Sequence, residues 1–376
     1  MFFLIDAGDF SLAQSPVTIK GVVLDSVTRQ PLPFVRIKAG KNAMEVLSND
    51  EGEFLVVCND SLCFSSIGYR PVCLGFNDLK QGMTNKIFLS PAYYMLGSVN
   101  VLPEEDAAEI VKRSILAFEQ HYHGAYIFKG YYREYLKENN NYGRSVEAQV
   151  YILDRGKMKS ADKKAKEDFY ISALQKSKDY IECFPEYKKI NHLQKLFAEN
   201  PLRYALPPMD ADRLNRFSYK TDSVVLYDNE PVYAISFSSG EMEGNMSVRK
   251  KDDAMLFFTL HKKKDIELKL PDGQSFSVAF GNLTVSYKAQ NDILCLDRIE
   301  YDWSVQTGSC ILNMYSEFIT SEMNSRIPEK AKKMDKSKDI FLQYDTFNLP
   351  VLQEQRPVLP GLLQKQIEMD LENRKK

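Results

Sequence analysis

The sequence predicts a mainly β protein in two parts: an N-terminal β-sandwich of about seven short strands, then a larger antiparallel meander domain. The second part is expected to form a curled sheet or open half-barrel with a few helices. Three observations predict this. Apolar and charged residues alternate in Val17-Thr18-Ile19-Lys20 and Val35-Arg36-Ile37-Lys38, the period of strands with one packed face. Turn-forming clusters punctuate the chain repeatedly. The 21 Tyr and 22 Phe, against a single Trp, suit half-buried pleated surfaces. A length of 376 residues suits two cores better than one.

In the first part, Asp25–Pro33 is a polar turn closed by Pro31 and Pro33, which cannot sit inside a ladder. Asn49-Asp50-Glu51-Gly52 is the next turn: Asp50 is expected to bond its own following backbone, and Gly52 to supply positive φ. Phe54, Val56, Leu62 and Phe64 then point to one core. Val72–Leu74, Ile87–Leu89 and Val99–Val101 complete the strands, so the sandwich spans 17–102. Residues 1–16 end like a secretory signal, with small residues before a cut near Ala13 or Gln14. Asp6 and Asp9 interrupt the apolar stretch, and no basic segment precedes it. The expectation is an atypical signal, with an ordinary disordered N-terminus as the alternative.

At 103–124 the period changes to that of a helix. Acidic Glu104, Glu105 and Asp106 lead, and Ala107, Val111, Ile115 and Phe118 recur on one face. This reads as a linker helix. Strands resume over 125–350. Tyr126–Lys137 and Arg144–Leu153 flank the turn Asn139–Gly143, and Pro185–Ala198 reads as an amphipathic helical insertion. From Arg216 a meander of strands is separated by turns such as Asp228-Asn229 and Thr307-Gly308, and its last strands are long. Glu329–Asp339 reads as a charged loop. In 351–376, prolines precede a terminal helix over Leu362–Asn373.

The motif pattern of the first part resembles a known module. Its elements are a strand start at Ile19-Lys20-Gly21-Val22-Val23, the bend Pro31-Leu32-Pro33, the turn Asp50-Glu51-Gly52-Glu53-Phe54, and Ile67-Gly68-Tyr69. Together they resemble the carboxypeptidase regulatory-like β-sandwich of Bacteroidetes envelope proteins, with Asn49 standing where that module usually has Thr. The resemblance implies an Ig/prealbumin-like fold, a non-catalytic role and export to the periplasm or outer membrane. Gly21, Asp50, Gly52, Phe54, Gly68 and Tyr69 would be its structural motif. Gly130-Tyr131-Tyr132-Arg133-Glu134, with Glu147-Ala148 in the next strand, is similar to the domain of unknown function that often follows. Tyr132 and Glu134 count there as structural. Asp25-Ser26-Val27, Asp60-Ser61-Leu62 and Asp222-Ser223-Val224 resemble the O-glycosylation sites of exported Bacteroidetes proteins.

The chemistry-bearing residues point away from catalysis. A zinc peptidase needs His-x-x-Glu. Here Gly124, Tyr126, Lys195 and Lys264 stand three positions after His121, His123, His192 and His261, so no metal or cofactor is expected. Ser160–Lys163 and Ser247–Lys250 fit SxxK spacing, but the companion SDN and KTG elements are missing. The net charge of −2 argues against a dedicated nucleic-acid binder, and the lysines at 157–166 read as a solvated loop. No apolar run reaches the length of a membrane-spanning helix. Tyr131 and Arg133 share a strand face. They are the candidate ligand contacts, weighed against a structural Arg–carboxylate pair. None of the six cysteines forms a CxxC pair. Cys58 and Cys63 flank Asn59–Leu62, where either a cross-hairpin disulfide or free thiols would fit.

The sequence thus leads to a non-enzymatic envelope protein whose sandwich docks or spaces. Its second domain would bind a protein partner or a small apolar or glycan ligand. The alternatives are a periplasmic carrier of an apolar ligand such as a lipid, which calls for an apolar groove and not a filled sheet, and an enzyme of unrecognised type.

Overall fold

The computed structural model describes residues 17–40, 45–92, 105–121, 126–155, 167–269, 275–290, 293–355 and 361–374. The expected strand at Val99–Val101, the Ser160–Lys163 spacing, the lysines at 157–166, His123, the N-terminal 1–16 and Pro357 and Pro360 lie outside the described residues. The chain divides into two compact units, one ending at Pro91 and the other beginning at Ala92. No helix among the described residues is long and apolar enough to cross a membrane.

The first unit has seven described strands: β1 (Val17–Asp25), β2 (Arg36–Ala39), β3 (Glu45–Leu47), β4 (Glu53–Cys58), β5 (Leu62–Ser65), β6 (Val72–Leu74) and β7 (Thr84–Leu89). They form two sheets, β4-β1-β7 and β3-β2-β5-β6. Alternation places Ile19, Val23, Ile37, Phe54, Val56, Leu62 and Phe64 in one core, and the Phe54 and Phe64 rings meet edge to face at 5.3 Å. Gly21 is required by close approach: a Cβ there would meet the Asn85 carbonyl oxygen at 2.5 Å and the Phe54 ring at 2.6 Å. Gly52 adopts φ +71°, and a Cβ would lie 2.5 Å from the Val23 carbonyl oxygen. The Asn49 side chain organises the Asn49–Gly52 turn, accepting from the backbone N–H of Glu51 at 3.0 Å and of Glu53 at 2.8 Å. Tyr69 donates its hydroxyl to Asp25 at 2.8 Å, so the Gly68-Tyr69 turn is tied to the end of β1.

The cysteine geometry corrects the sequence reading. β4 pairs with β1, whereas β5 pairs with β2 and β6, so Asn59–Leu62 passes between sheets and is no hairpin. Cys58 and Cys63 therefore do not face each other. Cys63 lies directly opposite Cys73 and is bonded to it, with Cα atoms 4.0 Å apart; Cys58 is a buried free thiol. In the second unit Cys183 is bonded to Cys310, and Cys295 is a buried thiol outside any disulfide, its sulfur 3.2 Å from the Lys288 carbonyl oxygen.

The second unit opens with α1 (Ala107–His121). Strands β8 (Tyr126–Glu138), β9 (Asn141–Asp154) and β10 (Glu167–Lys176) follow. The β8–β9 turn is tighter than expected: Asn139 and Asn140 alone, both at positive φ, join the two strands. The expected insertion helix breaks into a 3-10 turn at Pro185–Lys189, α2 (His192–Ala198) and α3 (Pro201–Tyr204). Another 3-10 turn, Ala211–Arg216, precedes the meander. Asn191 and Asn200 cap α2 and α3, so the break falls where capping side chains start new helices. The meander runs β11 (Ser218–Tyr227), β12 (Glu230–Ser238), β13 (Met242–Arg249), β14 (Met255–Lys262), β15 (Ile266–Lys269), β16 (Ser275–Gln290), β17 (Ile293–Thr307) and β18 (Cys310–Met323). The expected charged loop at 329–339 contains a two-residue strand, β19 (Lys332–Lys333), and ends on a buried Asp339. Three helices close the chain: α4 (Ile340–Gln343), α5 (Leu349–Gln355) and α6 (Gly361–Asn373).

Twelve strands form one antiparallel sheet that does not close into a barrel, ordered β11-β12-β13-β14-β16-β17-β18-β8-β9-β10-β19, with β15 beside β16. The chain order matters. β18 returns to pair with β8, leaving β10 near one end and β11 at the other. The connector 177–217 must therefore cross the sheet, and its helix α2 packs on β17 and β18 in the middle. It lies over the apolar face, together with α1, in one continuous core. This connector is called the strap below.

Candidate functional site: the strap and the face it covers

The covered face is built by strand alternation. On β17 it presents Ile299, Tyr301, Trp303 and Val305; on β9 it presents Val146, Ala148, Val150 and Ile152, all buried. The strap answers with Leu193, Leu196, Phe197, Leu202 and Met209, and α1 with Ile110, Val111, Ile115 and Phe118. Among the described residues, the apolar face is thus covered by short helices and turns of the same chain and by no second sheet.

Buried charges fix the strap. Arg144 on β9 has no exposed surface and pairs with Glu134 at 2.8 Å and with Asp339. Its guanidinium also lies 4.3 Å from the Phe341 ring centroid and 5.3 Å from that of Tyr187. Tyr132 donates to Glu134 at 2.7 Å, and His192 Nδ1 stands 3.6 Å from the same carboxylate. Asp339 accepts from the backbone N–H groups of His192 at 3.4 Å and Phe341 at 3.0 Å. The group therefore joins two strands, the start of α2 and the start of α4.

A second group holds α3. Asp154 and Glu167 stand directly opposite each other on β9 and β10, where like charges repel. Arg203 bridges them, at 2.7 Å from Asp154 and 3.2 Å from Glu167, and Tyr204 donates to Glu167. The start of α1 is anchored by Tyr233, which donates to Glu105 at 2.6 Å. Burial, and then that hydrogen bond, push the phenol up to about 12. Arg113 adds a two-pronged pair to Asp253 at 2.9 and 3.1 Å.

Tyr131 and Arg133 are brought together on the opposite face of the sheet. Both are buried: Tyr131 packs with Ala173 and Leu352, and Arg133 pairs with Glu317, its direct cross-strand neighbour on β18. Arg298 binds the same Glu317 at 2.6 Å and Glu300 at 2.6 Å. Tyr132 and Glu134 face the strap, where Glu134 is the hub described above. Ser247 is a buried residue of β13, His261 lies exposed on β14, and His192 is the buried partner of Glu134. Of the glycosylation-like serines, Ser223 is exposed while Ser26 and Ser61 are half-buried. Glu138 lies beside the sulfurs of Cys183 and Cys310, which are joined to each other.

Sequence reasoning did not find Arg144, Arg203, Asp339, Lys195 or Tyr301. Their partners are distant in the chain, and no local spacing marks them. The single Trp and the interrupted strap helix were the available signals.

Fold and site together define a class: an unclosed antiparallel sheet with its own helical strap over the apolar face. No protein-family model matches the chain, and no curated protein matches it. Among solved structures it is similar to a DUF1329 family protein from Desulfovibrio piger, with 10% identity over 59% of this chain and 94% of that one, at a TM-score of 0.25. A LolA superfamily protein from Nitrosomonas europaea is 11% identical over 60% of this chain and 96% of that one, at 0.21. MucB, in complex with MucA, is 6% identical over 59% of this chain and all of that one (100%), at 0.19. Likenesses at this level assign no function.

Proposed function

We propose that this chain is a non-enzymatic binding protein of the cell envelope, and that its second unit carries an apolar ligand between the strap and the large sheet. The observation that supports this most is the construction of the covered face. An apolar surface continuous across the strands is covered by short helices and turns of the same chain, so a ligand that entered beneath this cover would not have to break a sheet. The two disulfides support an oxidising compartment outside the cytoplasm. Native mass spectrometry of freshly purified protein tests the reading. An adduct in the mass range of a lipid, lost on solvent extraction and restored by adding it back, is expected. Protein that carries no adduct and fails to bind a hydrophobic dye would remove the carrier.

A second reading gives the sandwich a docking role, in line with its resemblance to the regulatory-like module. It is favoured by the outer face of β4-β1-β7, where Leu55 (45% exposed), Val57 (51%) and Phe88 (37%) leave apolar surface in water.

A further inference from the structure

Tyr301 and Trp303 lie two residues apart on β17 and project from the same face of the sheet, roughly 7 Å from one another. From α2, Lys195 places its ammonium 3.8 Å from the centroid of the Trp303 ring, and the side chain is half-buried, within reach of solvent. Among the described residues that ammonium has no ion pair and no hydrogen-bond acceptor. Tyr301 is 2% exposed, and its hydroxyl has no hydrogen-bond partner among the described residues. Glu199, one helical turn beyond Lys195, acts electrostatically on both groups, which puts the hydroxyl and the ammonium in one neighbourhood.

Glu199 attracts the Lys195 ammonium from beyond ion-pair distance, and Lys262 repels it. Asp302, the other acid acting on Tyr301, accepts the Asn282 backbone N–H at 2.5 Å. Burial is the main influence on Lys195 and pushes its pKa below the ordinary lysine value. A partly desolvated ammonium with no ion pair, in the neighbourhood of an unmet hydroxyl at the margin of an apolar layer, favours an added anionic partner.

We propose that Lys195, Trp303 and Tyr301 receive the anionic head of a single-chain amphiphile, a carboxylate or a phosphate on an alkyl tail. The tail lies in the apolar layer between the strap and the sheet. Lys195 supplies the charge, Tyr301 donates a hydrogen bond, and the indole holds the ammonium in place. This assignment rests on the carrier reading and narrows it to a ligand class.

Trp303 is the only tryptophan of the chain, so its emission reports the site directly. The test titrates the full-length protein with palmitic acid, hexadecyl phosphate and hexadecanol, reading Trp303 emission. The two anions are expected to shift the emission and to bind roughly tenfold tighter than the alcohol, the scale of a charged hydrogen bond. Lys195→Met should reduce the anions to the affinity of the alcohol and leave the alcohol unchanged. Lys195→Arg should keep the preference, and Tyr301→Phe should weaken the anions severalfold. Equal binding of all three probes to the wild type, or a preference that survives Lys195→Met, overturns the head-group assignment and leaves the carrier standing. Failure of all three to bind removes the carrier and this assignment with it.

Discussion

Arg144 illustrates how much of this protein is decided by single side chains. Its guanidinium is buried among Glu134, Asp339 and two aromatic rings, so truncation leaves two carboxylates facing each other without water. Arg144→Ala is expected to cost about 3–5 kcal/mol, measured by chemical denaturation. A loss near that of an exposed arginine would mean that the group is open to solvent. Asp25 makes a prediction about pH. Its carboxylate accepts the Thr28 and Val27 backbone N–H groups at 2.9 and 2.6 Å and the Tyr69 hydroxyl at 2.8 Å. These bonds, led by that from Thr28, hold its pKa below the usual carboxylate value. The unfolded chain therefore binds this proton more readily than the folded one. The stabilisation is complete above about pH 3.9 and is lost as pH falls through the lower folded value. Asp25→Asn should show a shallower fall in melting temperature than the wild type between about pH 5 and 2. Parallel curves would count against the bond network.

At the scale of elements, the strap is the decisive piece. Its amphipathic pattern is visible at 185–198, but its path is not. The crossing follows because β10 and β11 occupy opposite regions of the sheet and 177–217 has to join them. Cys183, early in the strap, is bonded to Cys310 at the start of β18, closing a loop of sequence separation 127. The Cys63–Cys73 bond closes a separation of 10. Restriction of the unfolded chain grows with loop length, so the double variant Cys183→Ser/Cys310→Ser is expected to cost about 2–4 kcal/mol. That loss should exceed the loss from Cys63→Ser/Cys73→Ser, both read by denaturation in the same buffer. The reverse order would show that the strap is held by its buried charges alone. Register is likewise an element-scale property. The alternation in Tyr131–Glu134 assigns two faces correctly, yet it does not say which face meets the strap. The structure turns Tyr132 and Glu134 towards it and sends Tyr131 and Arg133 to the other side, where Glu317 and Arg298 await.

For the whole molecule, separate cores predict separate unfolding. The sandwich core and the sheet core share no residue, and the two units meet in sequence near Pro91–Ala92. Limited proteolysis is expected to cut near this boundary and to release two folded fragments, the smaller keeping β1 to β7. A single cooperative loss of the intact chain, with no fragment surviving, would contradict independent units.

The sequence by itself determined the β class, the strand alternation, the turn glycine at 52 and the change of period before α1. Each depends on residues within a few positions of one another, where backbone geometry and side-chain period act directly. Only the tertiary structure decided that β18 pairs with β8, that the strap lies over the apolar face, and that Cys63 joins Cys73 instead of Cys58. It also brought Arg144 to Asp339 across 195 positions, and Lys195 to Trp303. These are contacts between segments whose separation along the chain carries no period, so they exist only once the sheet order has set which surfaces meet.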